Sequence, residues 1–474
     1  MTEFLVNGPR WLLLATLVFA PWAYGGTQPS TVTALNALFA LILTLWLAGA
    51  LVRRSRPIVP TAVLWASLLL LLQGWWMVLN AKSDYDPGAV KFTPLAPLFN
   101  WAPGTLDKSS SLPAALRLSL MLGIGCFCCD LARRSIWRRR LLCTMGLTGV
   151  SIVILGLAQR LSGAEGIFWG ATESGETFFA TWRYHSNAGS FLNLVWPVTA
   201  ALLLSAIARE EPASRKWFWG AALFLELAGV FVTSSRAANL IAIALFAAWF
   251  AWLAFHGKRG ALQIALNPAF LLVSILILVV VLAGLAAFGG LDASLRRWGK
   301  FDQELSTRNA RLLAAEVCLR MVPSAGACGF GPGTFQTAFP YFTREIGSEI
   351  PGVWVHAHDD YLETMIEWGW LGAAFWAVYV LGALAFSGWA LWRYRRQISS
   401  SDRLNWFAAI TALVGVLFHA GMDFPLQVPS IELYVAVLLG ICWSCRSWLK
   451  KPDVLQSLSR NANASVHRPE PALR

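Results

Sequence analysis

The stretch VHAHDDYLETMIEWGWLG, Val355 to Gly372, is where a polar loop turns into a membrane-length helix. Two histidines and two adjacent aspartates stand ahead of a helical pattern that carries Glu363 and Glu367. That pattern then runs into an uncharged apolar segment, residues 370–392. A run of roughly 20 apolar residues is long enough to cross the hydrocarbon core of a bilayer.

The same signal recurs along nearly the whole chain. Its 474 residues are 57% hydrophobic and 14% charged, against about 25% charged in soluble domains. Spans are predicted near 11–26, 32–52, 60–79, 113–131, 141–161, 187–208, 217–234, 237–256, 268–289, 370–392, 404–422 and 429–446. The fold expected is an all-α polytopic membrane protein with about twelve transmembrane helices. Many of the 25 Trp lie near segment ends, as interfacial belts require. No small-residue cleavage site separates the first span from the second, so the first is read as a helix and not a signal peptide.

A net charge of +12 raises the question of nucleic acid. The basic clusters answer it by position: Arg53, Arg54 and Arg56; Arg133, Arg134 and Arg138 to Arg140; Arg215 and Lys216; Lys258 and Arg259; Arg393, Arg395 and Arg396; Arg446, Lys450 and Lys451. With the spans above, all fall on one side, the positive-inside pattern that puts both termini in the cytoplasm. The charge is topological, and no nucleic-acid partner is expected. Cys442 and Cys445 read as apolar packing, while Cys318 and Cys328 share an outer loop in which a disulfide could form.

This topology leaves three sizeable outer loops, Asn80 to Leu112, Ser162 to Ser186, and Gly290 to about Trp368. The third mixes a helical pattern, Ser306 to Met321, with the glycine-rich turn GFGPGTF, Gly329 to Phe335. The tail after Lys451 is polar and expected to be disordered. Chemistry should therefore sit on the outer face.

Three segments could carry it. In TSSRAANL, Thr233 to Leu240, Ser234 or Ser235 can cap a span whose first turn holds Arg236. A guanidinium beside the positive end of a helix makes sense if an anion binds there, cradled by backbone N–H groups and the arginine fork; the alternative is an arginine reaching for lipid headgroups. In the opening stretch, Asp359 or Asp360 can cap the helix, with Asp360 and Glu363 as a capping box. Capping leaves His358 unexplained, and histidine can orient or deprotonate a hydroxyl. His356, His358, Asp359 and Asp360 are too nearly consecutive to converge easily on a metal. Finally, FHAGMDFPLQVP places His419 and Asp423 four apart at the outer boundary, as a functional pair or as a hydrogen-bonded pair steadying the helix end. Arg183, His185, Arg296, Arg297, Arg308, Arg311 and Arg344 share these loops, as anchors or as anion contacts. No Walker lysine motif, H-E-x-x-H or G-x-S-x-G is found.

These segments resemble the O-antigen ligase and polymerase family of bacterial membrane glycosyltransferases. AHDDYLETMIEWGWLG resembles its Ala-His-Asn, acidic, Tyr-Leu, Glu-x-Gly-x-x-Gly signature. Arg311, Pro323 and GFGPGTF resemble its arginine, proline and Gly-x-Gly-x-Phe run. SSRAANL, YHSNAGSFLNLVWP and HAGMDFPLQVP are similar to its Ser-Arg, Asn-x-x-Ala-x-x-Leu and His-x-x-x-Asp segments. The resemblance covers roughly Phe178 to Leu439 and implies a GT-C-like arrangement. Helices occupy 1–177, and a catalytic core spans 178–439 with a periplasmic loop, 290–368, between helices nine and ten; the tail is 452–474.

The resemblance further implies a metal-independent, cofactor-free, inverting transferase in the bacterial inner membrane, with its site on the periplasmic side. Its donor would be an undecaprenyl-diphosphate-linked oligosaccharide. Its acceptor would be a glycan, lipid A-core or other hydroxyl, all within membrane lipid. By analogy Arg236 would hold the diphosphate and His358 would activate the acceptor. Arg311, Arg183, His185, Asn187, Asp359, Tyr361, Glu363, His419 and Asp423 would contact substrate. The family's Asn after the histidine is Asp359 here, a carboxylate that could raise the basicity of His358 or cap the helix. Ligase and polymerase remain equally open. A polyprenyl-linked glycan flippase or proton-coupled transporter is the reading from another class, which would require substrate groups near the bilayer midplane.

Overall fold

The structure, a computed structural model, describes residues 2–170, 178–256, 310–343, 350, 352–395 and 397–445. The expected span 268–289, the tail, and Arg296, Arg297, Arg308 and Arg344 lie outside the described residues. So do Lys258, Arg259, Arg396, Arg446, Lys450 and Lys451.

Thirteen α-helices are described: α1 Thr2–Trp22, α2 Pro29–Val52, α3 Thr61–Leu79, α4 Lys108–Ala132, α5 Ser135–Leu161, α6 His185–Ala208, α7 Ala213–Val232, α8 Arg236–His256, α9 Ala310–Ala325, α10 Phe335–Phe342, α11 Asp360–Arg393, α12 Ser400–Ala420 and α13 Pro429–Trp443. Each of the other eleven expected spans coincides with one of α1 to α8 or α11 to α13. Among the described residues nine helices, α1 to α6, α8, α11 and α12, are long and apolar enough to cross a membrane. The chain is an all-α, multi-pass membrane protein. The sequence did not foretell the small antiparallel hairpin in the first outer loop, β1 Ser83–Asp86 on β2 Lys91–Pro94.

α6 is the axis of the bundle. Every residue of it from His185 to Ala206 is buried, which apolar composition alone would not require, since an all-apolar helix can also face lipid. α12, α7 and α5 pack around it. At one end of the bundle, arginines tie helices together: Arg138 bonds Asp402 at 2.5 Å, joining α5 to α12, and Arg209 reaches the Ser401 hydroxyl at 2.8 Å. The first residues of α6, α8, α11 and α13 gather at the other end.

That second end is built around a break in α11. Gly369 adopts φ 64°, ψ −177° and interrupts the helix between Asp360 and the long apolar part. A break frees backbone groups, which are costly in a membrane unless satisfied. The glycine-rich turn satisfies them: Phe330 N donates to Ile366 O at 2.9 Å, Gly331 N to Glu367 O at 3.0 Å, and Leu371 N to Ala327 O at 3.0 Å. Gln73 of α3 adds a bond to Trp368 O at 2.7 Å. The fit leaves no room for side chains. A Cβ on Gly369 would lie 2.3 Å from Ala327 O, and one on Gly329 2.1 Å from Glu367 O.

Under this turn α9, α10 and the start of α11 form a second, smaller apolar core containing Leu313, Val317, Met321, Phe335, Phe339 and Ile366. It supports the histidine loop through Ala357, which is 3% exposed. Cys318 packs inside it as a thiol, and Cys328 lies half-buried in the turn, also as a thiol, so the bridge that their shared loop left open is not formed. Cys442 and Cys445 are buried in the main core, as apolar packing requires.

Candidate functional site

His358 lies just before α11, in the left-handed region at φ 54°. Few non-glycine residues sit there, and such strain persists where surrounding contacts over-determine it. Here the contacts are specific. The ring's Nδ1 is 2.9 Å from Asp423 Oδ1. Three aromatic rings surround it: Phe424 at 4.8 Å, Trp354 at 5.4 Å and Tyr184 at 6.0 Å between centroids. Phe424 in turn stacks on Tyr184 and on His356. The imidazole is thus gripped at one nitrogen and on its faces, while the side chain keeps 24% of its surface exposed.

Asp423 is the hub. Burial opposes ionisation of its carboxyl. The hydrogen bond and charge of His358, the Ser186 hydroxyl and His419 outweigh burial and hold the group at about 2. An ionised carboxylate accepts only, so His358 Nδ1 carries the hydrogen of this bond; in the neutral ring that leaves Nε2 as a proton acceptor. Burial and Asp423 also push the Tyr184 phenol up, with Arg311 pulling the other way. The phenol therefore stays neutral at physiological pH, and its oxygen accepts a bond from Arg311 Nη2 at 2.6 Å.

The Ser-Arg turn joins this cluster through Ser186. The Ser186 hydroxyl is 3.0 Å from His419 Nε2 and 3.3 Å from Ser235 Oγ. Ser235 caps α8, its Oγ accepting from Ala238 N at 3.3 Å. Ser234, just before it, is another left-handed non-glycine residue, at φ 62°. Arg236 follows at once as the first residue of α8. The chain of contacts from His358 through Asp423, Ser186 and Ser235 therefore brings the two most distinctive motifs to one place.

Several expectations change. Asp359 does not support His358; its carboxylate accepts from Tyr361 N at 2.9 Å and Leu362 N at 3.1 Å, so it caps α11. The partner of His358 is Asp423, 65 residues away. Asp360 and Glu363 form no capping box. Asp360 is buried and accepts from Leu426 N at 2.9 Å, and Glu363 accepts from Ala357 N at 2.8 Å and contacts His356 Nδ1 at 2.9 Å. Glu363 thus braces the histidine loop from beneath. His419 and Asp423 are not bonded to each other. α12 ends at Ala420, Asp423 turns to His358, and both residues meet Ser186 instead. Tyr361 turns against α12, its hydroxyl donating to Leu417 O at 2.7 Å. Of the remaining expected residues, Arg183 is exposed, while His185 and Asn187 are buried in the first turn of α6.

Tyr184, Ser186, Trp354 and Phe424 were not singled out from sequence, although three of them lie inside the quoted motif segments. Aromatic and hydroxyl residues are common in membrane helices, and nothing in their spacing marks them. Among the described residues no group of three or more His, Cys, Asp or Glu is placed to hold a metal ion.

The fold and this cluster define a polytopic helical membrane protein with a histidine–carboxylate site at one end of its bundle. Residues 221–377, about a third of the chain, match the family model described as O-antigen ligase. That match supports the O-antigen ligase and polymerase family, and with it glycan transfer of that general type, from a lipid-linked donor to a glycan or lipid acceptor. The match includes Arg236, Arg311 and His358. The segments that complete the site, Tyr184 to Ser186 and His419 to Phe424, lie outside it. The comparison with curated proteins returned no match.

Proposed function

We propose that the chain transfers a glycan from undecaprenyl diphosphate to an acceptor hydroxyl at the periplasmic face of the bacterial inner membrane. The observation that carries this reading is the His358–Asp423 pair, held in an aromatic box and linked through Ser186 to the Ser235–Arg236 helix start. The donor is already activated, so the protein has two tasks: to hold the departing diphosphate and to ready an alcohol.

His358 Nε2 takes the proton of the acceptor hydroxyl as its oxygen attacks the anomeric carbon. The bond from that carbon to the diphosphate oxygen breaks, and its electron pair leaves with the diphosphate. Asp423 steadies the imidazolium formed, in the way a buried carboxylate supports a catalytic histidine. Attack opposite the leaving group inverts the anomeric centre. Arg236, with the N-terminal amides of α8, receives the charge that develops on the diphosphate. Arg311, held against Tyr184 OH, is a second contact for it. No metal or cofactor is assigned a step.

The test compares surface polysaccharide and extracted lipid-linked glycans from cells lacking the gene and cells carrying His358→Ala. Accumulation of long glycans on the lipid carrier, with none on lipid A-core, assigns a ligase. Collapse to a single repeat unit on the acceptor assigns a polymerase. Unchanged product and unchanged lipid-linked glycan in both strains overturn the reading.

A further inference from the structure

The end of the bundle away from the histidine cluster holds a cavity of about 320 Å³, within the range of small-molecule pockets, roughly 300 to 1,000 Å³. Three elements wall it: the first third of α1, the end of α2 with the linker to α3, and the end of α4 with the linker to α5. Five arginines line it, Arg10, Arg53, Arg56, Arg133 and Arg134, against one acid, Asp130. Leu5, Trp46 and Phe127 supply an apolar side.

The charges do not balance among the described residues. Asp130 is already occupied, accepting from Trp46 Nε1 at 3.2 Å and Ile58 N at 3.3 Å, with Arg133 at 3.7 Å. Arg10 is 8% exposed and among the described residues bonds only the Asn7 amide, at 3.1 Å, with its guanidinium 5.4 Å from the Trp137 ring. Arg53 Nε donates to Gly49 O at 3.1 Å, a bond that neutralises nothing. Arg133 Nε is buried with no hydrogen-bond partner among the described residues. Of the five only Arg10 is buried, and a guanidinium so placed with no carboxylate at ion-pair distance among the described residues is costly. Snorkelling explains exposed arginines such as Arg54; it does not explain Arg10, two turns inside α1 and nine-tenths buried. An anion would satisfy all of these groups at once.

We propose that this cavity binds the phosphate headgroup of an anionic phospholipid, with the acyl chains lying along the Leu5, Trp46 and Phe127 side. Basic pockets between membrane helices favour anionic lipids over zwitterionic ones, and the arginine fork suits two phosphate oxygens. The site is at the opposite end from the transfer cluster and does not rest on the transfer reading. It serves as a lipid clamp that fastens α1 to the α2–α3 and α4–α5 linkers.

The full chain, purified in detergent, is tested by native mass spectrometry and by thermal unfolding with added phosphatidylglycerol, phosphatidylcholine, or inorganic phosphate. Expected is one retained phosphatidylglycerol per chain and a rise in Tm that phosphatidylcholine does not give. Arg56→Gln, on the exposed rim, should weaken retention roughly five-fold, and Arg10→Gln with Arg133→Gln should abolish it. Arg10→Lys controls for folding, because it keeps the charge and should retain the lipid partly. If inorganic phosphate alone raises Tm through the same arginines and displaces the lipid, the arginines bind phosphate but the lipid assignment is overturned. Equal retention of both lipids by the wild type, or undiminished phosphatidylglycerol retention by the Arg56→Gln and double variants, overturns the site altogether.

Discussion

Two helix starts meet at the site, and they are built in opposite ways. α11 begins with its own carboxylate: Asp359 accepts two amide N–H groups, and Asp360 and Glu363 fill the first turn. α8 begins with a serine cap and a guanidinium, and no acid stands in its first turn. The partial positive charge of α11 is answered from within the chain, while that of α8 is reinforced by Arg236. On the proposed reading this difference divides the labour of transfer: the start of α11 presents the histidine to an uncharged alcohol, and the start of α8 faces the anionic leaving group.

The sharpest way to break this contrast is to remove the two groups it rests on. His358→Ala and Arg236→Ala should each lower transfer by about 10²-fold or more, read as product per unit of inserted protein in a membrane assay. If only Arg236→Ala were inactive, the acceptor side would have been misassigned. Next in size is Asp423→Asn, expected to reduce transfer about 10- to 100-fold while leaving donor binding nearly unchanged, a fall in kcat with little change in KM.

The same residue makes a pH prediction. The Asp423 carboxyl is held at about 2 in the fold, below the roughly 3.9 of a free aspartate. A depressed folded value means that its stabilisation is fully present above the unfolded value and is lost as pH falls towards about 2. The Tm gap between wild type and Asp423→Asn should therefore shrink as pH falls below about 4. A gap that stays the same from about pH 5 down to about pH 3 would show that the Asp423 carboxylate does not set it.

Smaller effects should separate capping from chemistry. Asp359→Ala removes a cap and should cost about 1 kcal/mol of stability, measured as a lower Tm. Its transfer rate should stay within a few-fold of wild type. A hundred-fold loss would return Asp359 to the chemistry and erase the contrast between the two helix starts. Gly369→Ala tests the scaffold instead. A Cβ there would collide with Ala327 O, so the variant should unfold earlier and lose transfer together with the histidine loop.

Much of this was legible in the sequence. Apolar length alone marked the membrane-length helices that the described residues form, because a bilayer leaves a chain few other ways to satisfy its backbone. Arg236 and His358 stood out for a related reason: an ionisable group at a span's mouth needs a cause. What stayed hidden was pairing. Asp359 neighbours His358 in sequence, yet the backbone turns its carboxylate onto the helix amides, and Asp423 arrives from a different helix.

The sequence by itself determined the class of fold, and it singled out two motifs that the structure brings together at one end of the bundle. Those are local properties, set by composition and by what each helix start needs. Only the tertiary structure decided that Asp423 orients His358, that Ser186 joins it to the Ser-Arg turn, and that Glu363 braces the loop beneath. It also decided that five arginines scattered from position 10 to 134 line one cavity at the far end. Those are contacts between segments far apart in the chain, and their distances come from helix packing, which no spacing along a single segment records.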